Sequence, residues 1–573
     1  MQERRVWIPS DGVYTDNINQ IKARKQSESD KSVKPKVSVW PSKYEYLSST
    51  WSFTLSLHSV WSLPLSVLQY GGAAYLTVYI TVLAIVGAPL LLLEMFLGQY
   101  SSLAPVQVYT HLCPLVAGLG LTTCIQAGVR AMLDTAVIMW SGQALWHLFS
   151  SEEIRDGFFY RDVLAKEDAT LEHLGDLVAQ LSLVLGVCCV TIFILSAAGI
   201  RSVGKICVMV VPACYLLLVV MVVRSCMCTG GLGGIMTLLT PDWSVMTSTS
   251  VWLEATAQVI FSLQLGTGAV TAYSSYNTYH HNIVRDCYTI IIFHLLWVIL
   301  LILLTFSLLG VAHSTQTINL TNLAQDPAIL SITGQNVWLV AITLIETSLS
   351  TINYGWFWAG IFFIIIILVS ISSVFGYIEI LLSSVISYRP NILHLKPSLT
   401  FIILTIMFLL DLVLATQGGV HIYHLLLIYI YNWPSLLLSL FTVLTMVLCH
   451  GVSNVIQNIS DICKVMLPHW FSSHLSVIYF SILPIFLMVS CIIDSYLILL
   501  KNIQASLVHN LEVLSSYHLL EPLSTFGLLL PEWGMPMGWS LAFLPLSPLL
   551  FWALVHSIWG NRGVHRLTVS IVI

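Results

Sequence analysis

Charge is what this chain lacks. Asp, Glu, Lys and Arg make up 9% of its 573 residues, where a soluble domain carries roughly 25%. With 57% hydrophobic residues there is too little polar surface to cover a soluble fold, which places the chain in a membrane. The alternating ten-residue segments of a transmembrane β-barrel are absent, leaving helices as the spanning element. The first 45 residues are polar and no apolar run follows the start, so no cleaved signal peptide is expected. Nucleophile–base–orienter sets and metal clusters at motif spacing are also missing, and no enzyme is expected. The 12 cysteines sit mostly in or beside apolar spans, with none in 150–177. They read as buried small hydrophobes, not as a disulfide framework.

What is present is a series of apolar runs long enough to cross hydrocarbon, which takes about 20 residues each. About twelve are expected, at 46–69, 73–100, 118–148, 178–198, 203–225, 252–278, 283–312, 355–388, 397–416, 422–449, 475–500 and 535–558. Arg4, Arg5, Lys22, Arg24, Lys25, Lys31, Lys34 and Lys36 precede the first span and predict a cytoplasmic N-terminus. An even number of spans returns the C-terminus, with Arg562 and Arg566, to the same side. The mixed to acidic segment 152–176 then lies outside, as does Asn319, which opens an Asn-Leu-Thr glycosylation sequon. Three parts result: a tail over 1–45, a membrane domain over 46–560 and a short tail over 561–573.

Two spans carry breaks. LSLHSVWSLP, residues 55–64, places Ser56, His58, Ser59 and Ser62 ahead of Pro64 in an otherwise apolar run. FSLQLGTGAV, residues 261–270, sets Gly266 and Gly268 around Thr267, and glycine weakens a helix and tolerates unwinding. Non-helical backbone at membrane depth survives only where protein or a watery cavity satisfies its polar groups. Breaks in the first and sixth spans, five helices apart, match two inverted five-helix repeats, about 46–225 and 252–449. A packing kink at either break alone is the plainer reading; the matched positions favour a binding site.

Several motifs, in order, resemble the neurotransmitter:sodium symporter family. They are VWSLP (60–64), YGGAAYLTVY (70–79), GAPLLLLEMFLGQY (87–100), GIRSVGK (199–205), LTPDWS (239–244), VWLEA (251–255), FSLQLGTG, AYSSYN (272–277), RDC (285–287), TQGGV (416–420) and PEWGMPMGW (531–539). The resemblance implies an all-α polytopic fold and coupling of a small organic solute to Na⁺, often with Cl⁻. It puts the solute between the broken first and sixth helices and the third and eighth. Applied residue by residue, it implies a sodium site of the Ser52, Leu55 and Val369 carbonyls with the Ser372 and Ser373 hydroxyls. The bland reading is that these serines merely bond back within their helix. It implies a second, altered ion site at Thr54, Ser59, Ser262 and His294, and an altered chloride site at Tyr79, Gln258 and Ser262. Neutral, His294 can fill the second site; protonated, it can replace a cation.

The solute pocket implied by the resemblance is lined by Thr54, Ser56, His58, Asp134, Val137, Gln264 and Thr267. Ser56 and His58 stand where the family has small residues, Val137 where it has a carboxylate-holding tyrosine, and Thr267 where it has an aromatic lid. The gates change in pairs. Ser62 and Leu427 replace the outer ion pair, and Val37 and Ser387 the inner one, although Tyr276 remains. Glu94 matches an acid that buttresses the unwound sixth helix. Within the third span, Arg130 and Asp134 share a helix face, read either as a self-neutralising pair or as part of a polar pocket of Asp134, His58 and Gln264.

The expected function is sodium-coupled transport of a small polar or cationic solute (amine, amino-acid derivative or osmolyte) across the plasma membrane. A transport-inactive relative that binds a partner, and a proton-coupled transporter using His58, His294 or Asp134, are the alternatives. Expected partners are a small solute and membrane lipid, not nucleic acid, with a protein partner or oligomer left open.

Overall fold

The computed structural model describes residues 39–154, 158–164, 171–315, 337–464, 468–493, 495–496 and 533–556. The tails before residue 39 and after 556, Val37 and Asn319 with its sequon lie outside the described residues. Helix dominates, and the described residues contain no strand, only an isolated bridge between Leu177 and Thr416. All twelve cysteines are free, seven of them buried.

The first span is split as α1 (Lys43–Thr54) and α2 (Leu57–Gln69). Continuing along the chain, α3 covers Ala73–Ser101, α4 Pro105–Leu112, α5 Gly118–Ser151, α6 Ala179–Ser196, α7 Ile200–Cys226 and α8 Gly231–Leu238. The sixth span is split as α9 (Thr249–Ser262) and α10 (Ala269–Ser274). Then follow α11 (Ile283–Ser314), α12 (Val337–Ser350), α13 (Gly355–Tyr388), α14 (Lys396–Asp411), α15 (Gly419–His450), α16 (Val452–Cys463) and α17 (Ser472–Ile493). The last apolar stretch is a pair, Pro536–Phe543 and Ser547–His556, bent by 56°. Nine described helices, or ten with the bent pair, are long and apolar enough to cross a membrane. The two split spans fill the remaining positions read from the sequence.

Burial separates inner from outer helices. Of the most apolar window of each helix, 72% is buried in α13 but 28% in α6 and α17. So α13 lies at the centre while α6 and α17 present their sides outward. Their apolar surface needs no protein cover, because lipid is as apolar as leucine.

Local chemistry explains the breaks. Ser56 ends the first one as the N-cap of α2, with an extended backbone and its hydroxyl accepting the Ser59 N–H at 3.2 Å. The break falls within the stretch 55–64 singled out in the sequence, at Leu55 and Ser56, and α2 then runs through Pro64 to Gln69. A proline inside a helix removes one N–H and crowds the preceding turn without always ending it. In the second break Gln264, Gly266 and Gly268 all adopt positive φ, +55°, +76° and +81°.

Small residues let the inner helices touch. A methyl group on Gly98 of α3 would lie 2.1 Å from the Thr271 carbonyl oxygen of α10, well inside contact distance. Gly98→Ala should therefore lower the thermal unfolding midpoint of the purified protein, with an overpacking cost of about 1–3 kcal/mol. Gly128→Ala in α5, where a methyl group meets nothing within 4 Å, should leave the midpoint level or raise it.

Candidate solute and ion site

Both breaks sit beside α13. Phe53, just before the first, packs edge-on against Tyr377 at 5.5 Å between ring centres and against Gly376. From the second break, Gln264 reaches the same helix: its amide donates to Ser373 Oγ at 2.9 Å and accepts from the Tyr377 hydroxyl at 2.7 Å. Ser373 and Tyr377 are four apart and share one face of α13. Tyr377 was not singled out in the sequence, though its spacing from Ser373 was the available signal.

The opened backbone is satisfied from α3. The Gly266 N–H donates to Glu94 Oε1 at 2.7 Å, and the Thr271 hydroxyl donates to the Glu94 carbonyl at 3.3 Å. Glu94 thus has the buttressing place expected for it. Thr267 bonds within the break, its hydroxyl donating to the Gln264 carbonyl at 3.0 Å.

Ser372 and Ser373 are buried on α13. Their hydroxyls donate to the carbonyls of Leu368 at 2.9 Å and Val369 at 3.4 Å. Each oxygen keeps lone-pair capacity, since a hydroxyl donates once and accepts twice. In the first break, the Ser52 carbonyl takes the Leu55 N–H at 3.2 Å as α1 ends. Asp134 of α5 faces Ser373, and Val137, three residues on, is buried.

The residues of the second ion site are brought together, but around an imidazole. His294 Nδ1 lies 3.1 Å from the Thr54 carbonyl, which can only accept, so Nδ1 carries a hydrogen. Nε2 lies 3.1 Å from the Tyr79 hydroxyl, which lies 2.8 Å from Ser262 Oγ. With a neutral ring, Tyr79 donates to Nε2 and Nδ1 donates to Thr54, while Ser262 Oγ, beside Tyr79, also lies 3.1 Å from the Val259 carbonyl. Ser59 is engaged separately, accepting from Trp297 Nε1 at 3.2 Å and donating to the Ser56 carbonyl at 2.6 Å.

Gln258, grouped with Tyr79 and Ser262 in the sequence, turns the other way. It accepts from His58 Nε2 at 2.8 Å and donates to Ser62 at 2.8 Å, Ser66 at 3.1 Å and Glu254 at 2.9 Å. His58 stacks on Tyr431 of α15 at 5.9 Å, so it does not join Asp134 and Gln264. Arg130 and Asp134 do not form the expected ion pair: no carboxylate of the described residues lies within 4.0 Å of the guanidinium. Instead Arg130 lies over the Tyr431 ring at 4.0 Å, and Nη2 donates to the Tyr431 carbonyl at 3.3 Å and to Ser435 Oγ.

Comparison with known proteins decides the family. The model of the sodium:neurotransmitter symporter family matches residues 38–155 and 150–558. The chain belongs to that family. It is 26% identical over 462 residues to the human "Sodium- and chloride-dependent GABA transporter 2", covering 74% of each chain. It is 27% identical over 421 residues to the Drosophila melanogaster "Sodium-dependent serotonin transporter", covering 68% of this chain and 66% of that one. Among solved structures, "Crystal structure of MhsT in complex with L-phenylalanine" matches at a TM-score of 0.62 and 15% identity, covering 79% of this chain and 99% of that one. At that identity the match speaks for the fold alone.

At the end of the bundle where α1 begins, this family member builds an ion pair that sequence reasoning missed. Glu379 of α13 receives Lys396 Nζ at 2.9 and 3.1 Å and the Tyr276 hydroxyl at 2.6 Å. Nearby, Trp40 Nε1 donates to the Tyr273 carbonyl at 2.8 Å and Tyr46 bonds Ser274 at 2.9 Å. Glu379 and Lys396, two opposite charges in apolar surroundings, were the signal, since such charges pair. Lys396→Met alone strands a carboxylate and should cost about 3–5 kcal/mol. Lys396→Met with Glu379→Gln should restore most of that, read as thermal midpoint and surface expression.

Proposed function

We propose that the protein is a secondary active transporter of the plasma membrane, both termini cytoplasmic, that couples one Na⁺ to uptake of a small polar organic solute. The observation that carries this reading is the pair of unwound segments, each meeting Ser373 or its neighbours on α13 and held open by Glu94 and Ser56. A closed helix needs no such support, and building it is useful only where freed backbone and hydroxyl oxygens meet a ligand. Hard cations take oxygen ligands, and the carbonyls of Ser52, Leu55 and Val369 with the hydroxyls of Ser372 and Ser373 supply them. Asp134, facing Ser373, adds carboxyl oxygens next to that set. The relatives named as sodium-dependent transporters support the same coupling.

In the sodium test, NaCl is titrated against KCl at constant ionic strength while thermal stability is read. An ion that binds only the folded state adds about 2.7 kcal/mol at 100 times its Kd. Saturable, Na⁺-specific stabilisation lost in Ser372→Ala/Ser373→Ala is the expected result. A flat response, with no gradient-driven uptake from a broad solute pool, would favour the partner-binding alternative.

The second ion site and chloride are read differently here. His294 engages the Thr54 carbonyl and the Tyr79 hydroxyl with neutral hydrogen bonds, so an imidazole stands where the second ion is expected. The GABA transporters among the relatives are named as chloride-dependent, so this is a departure from them. Replacing chloride by methanesulfonate should change Na⁺-driven uptake by less than twofold. A loss of tenfold or more would show that an anion is needed after all.

A further inference from the structure

Among the described residues, Arg130 is the largest charged side chain that is fully enclosed, at 0% exposure. A guanidinium has five N–H groups and cannot be neutralised by losing a proton. The two on Nη2 meet the Tyr431 carbonyl and Ser435 Oγ, while Nε and Nη1 have no acceptor. Three N–H groups thus have no acceptor within hydrogen-bond distance, Tyr377 being a close side-chain neighbour of the guanidinium, and no carboxylate of the described residues stands within 4.0 Å. Leaving buried donors of a charged group unpaired is costly.

The charge also sits in the right place. Arg130 lies over Tyr431, whose ring stacks with His58 from the first break and approaches Phe261 ahead of the second at 6.0 Å. Tyr377, which holds Gln264, is close to the same guanidinium. Two acids are near it, and both face elsewhere. Asp134 faces Ser373, and Glu94 Oε1 is taken by the Gly266 N–H, with Oε2 unpartnered. Asp134 is engaged by Ser373, and no carboxylate of the described residues pairs with Arg130.

We propose that Arg130 binds a carboxylate of the transported solute through the N–H groups of Nε and Nη1. This rests on the transport reading and narrows it. The solute is an acid or an amino-acid derivative, and the purely cationic amines are removed from the class expected from the sequence. Planar guanidinium–carboxylate pairs are the strong, geometrically selective form of charge-assisted hydrogen bond, suited to an enclosed site.

The experiment measures the thermal midpoint of the purified full-length protein in saturating Na⁺ with millimolar panels of small molecules. The panels are amino acids with α-, β- and γ-amino groups, simple carboxylic acids, and the amide and amine counterpart of each. Methanesulfonate salts replace chloride throughout, with a separate chloride titration. The expected result is a saturable rise with at least one carboxylate that its amide does not give. In Arg130→Gln the apparent affinity should fall at least tenfold, while the Na⁺ response persists and shows that the variant is folded. Arg130→Lys should fall less than Arg130→Gln. If only amino acids act, the solute is a zwitterion; if simple acids act equally, the carboxylate alone is read; both uphold the proposal.

Equal stabilisation by amides or amines overturns it. So does a Na⁺ response with no carboxylate effect, or an Arg130-dependent effect of chloride alone, which would make the anion inorganic. Those three leave the transport reading standing. A flat Na⁺ response together with no gradient-driven uptake removes the transport reading, and this proposal with it. If Arg130→Gln does not fold, the carboxylate-against-amide comparison on the unaltered protein still decides.

Discussion

Opening a helix inside a membrane protein leaves backbone N–H groups with no water to meet, and the structure depends on how that cost is met. The Glu94 carboxylate accepting the Gly266 N–H is the contact on which the second break hangs. Without it, the positive-φ turn through Gln264, Gly266 and Gly268 has a buried donor with no acceptor, and such a group costs about 1–3 kcal/mol. Because that turn is held, Gln264 reaches Ser373 and Tyr377, and α10 can start again at Ala269. The close approach of Gly98 to Thr271 keeps α3 near enough for Glu94 to act.

A second theme is substitution in sets. Where the resemblance implies two ions near the first break, this chain has one imidazole with both nitrogens bonded. Where it implies an ion pair at each gate, Ser62 belongs to the Gln258 network, and at the other end Glu379 pairs with Lys396 and Tyr276. Ser62 and His294 each have hydrogen-bond partners in these settings. A buried site tolerates change in this way because removing one partner is far worse than changing both.

Arg130 breaks that pattern. Every other singled-out charge near the breaks has an oxygen, an N–H or an ion-accepting group facing it, whereas the guanidinium spends two of its five donors on Tyr431 and Ser435. Local consistency that fails at one enclosed site is where function is expected.

The sequence alone determined the class and the frame. Scarce charge and repeated apolar runs require membrane helices, because hydrocarbon accepts few other elements. Motif order carried the family, and glycine spacing located the second break. The first break was legible only to within its stretch, since Pro64 is the louder signal and Ser56 the real cap. What tertiary structure decided is which polar groups meet. Whether Arg130 pairs with Asp134 four residues away or with Ser435 three hundred residues away depends on where α15 passes α5. That Gln258 turns from Tyr79 to His58, and that His294 lies between Thr54 and Tyr79, follows from how α2, α3, α9 and α11 come together. Spacing along one helix specifies a face; the partner on that face is set by another helix.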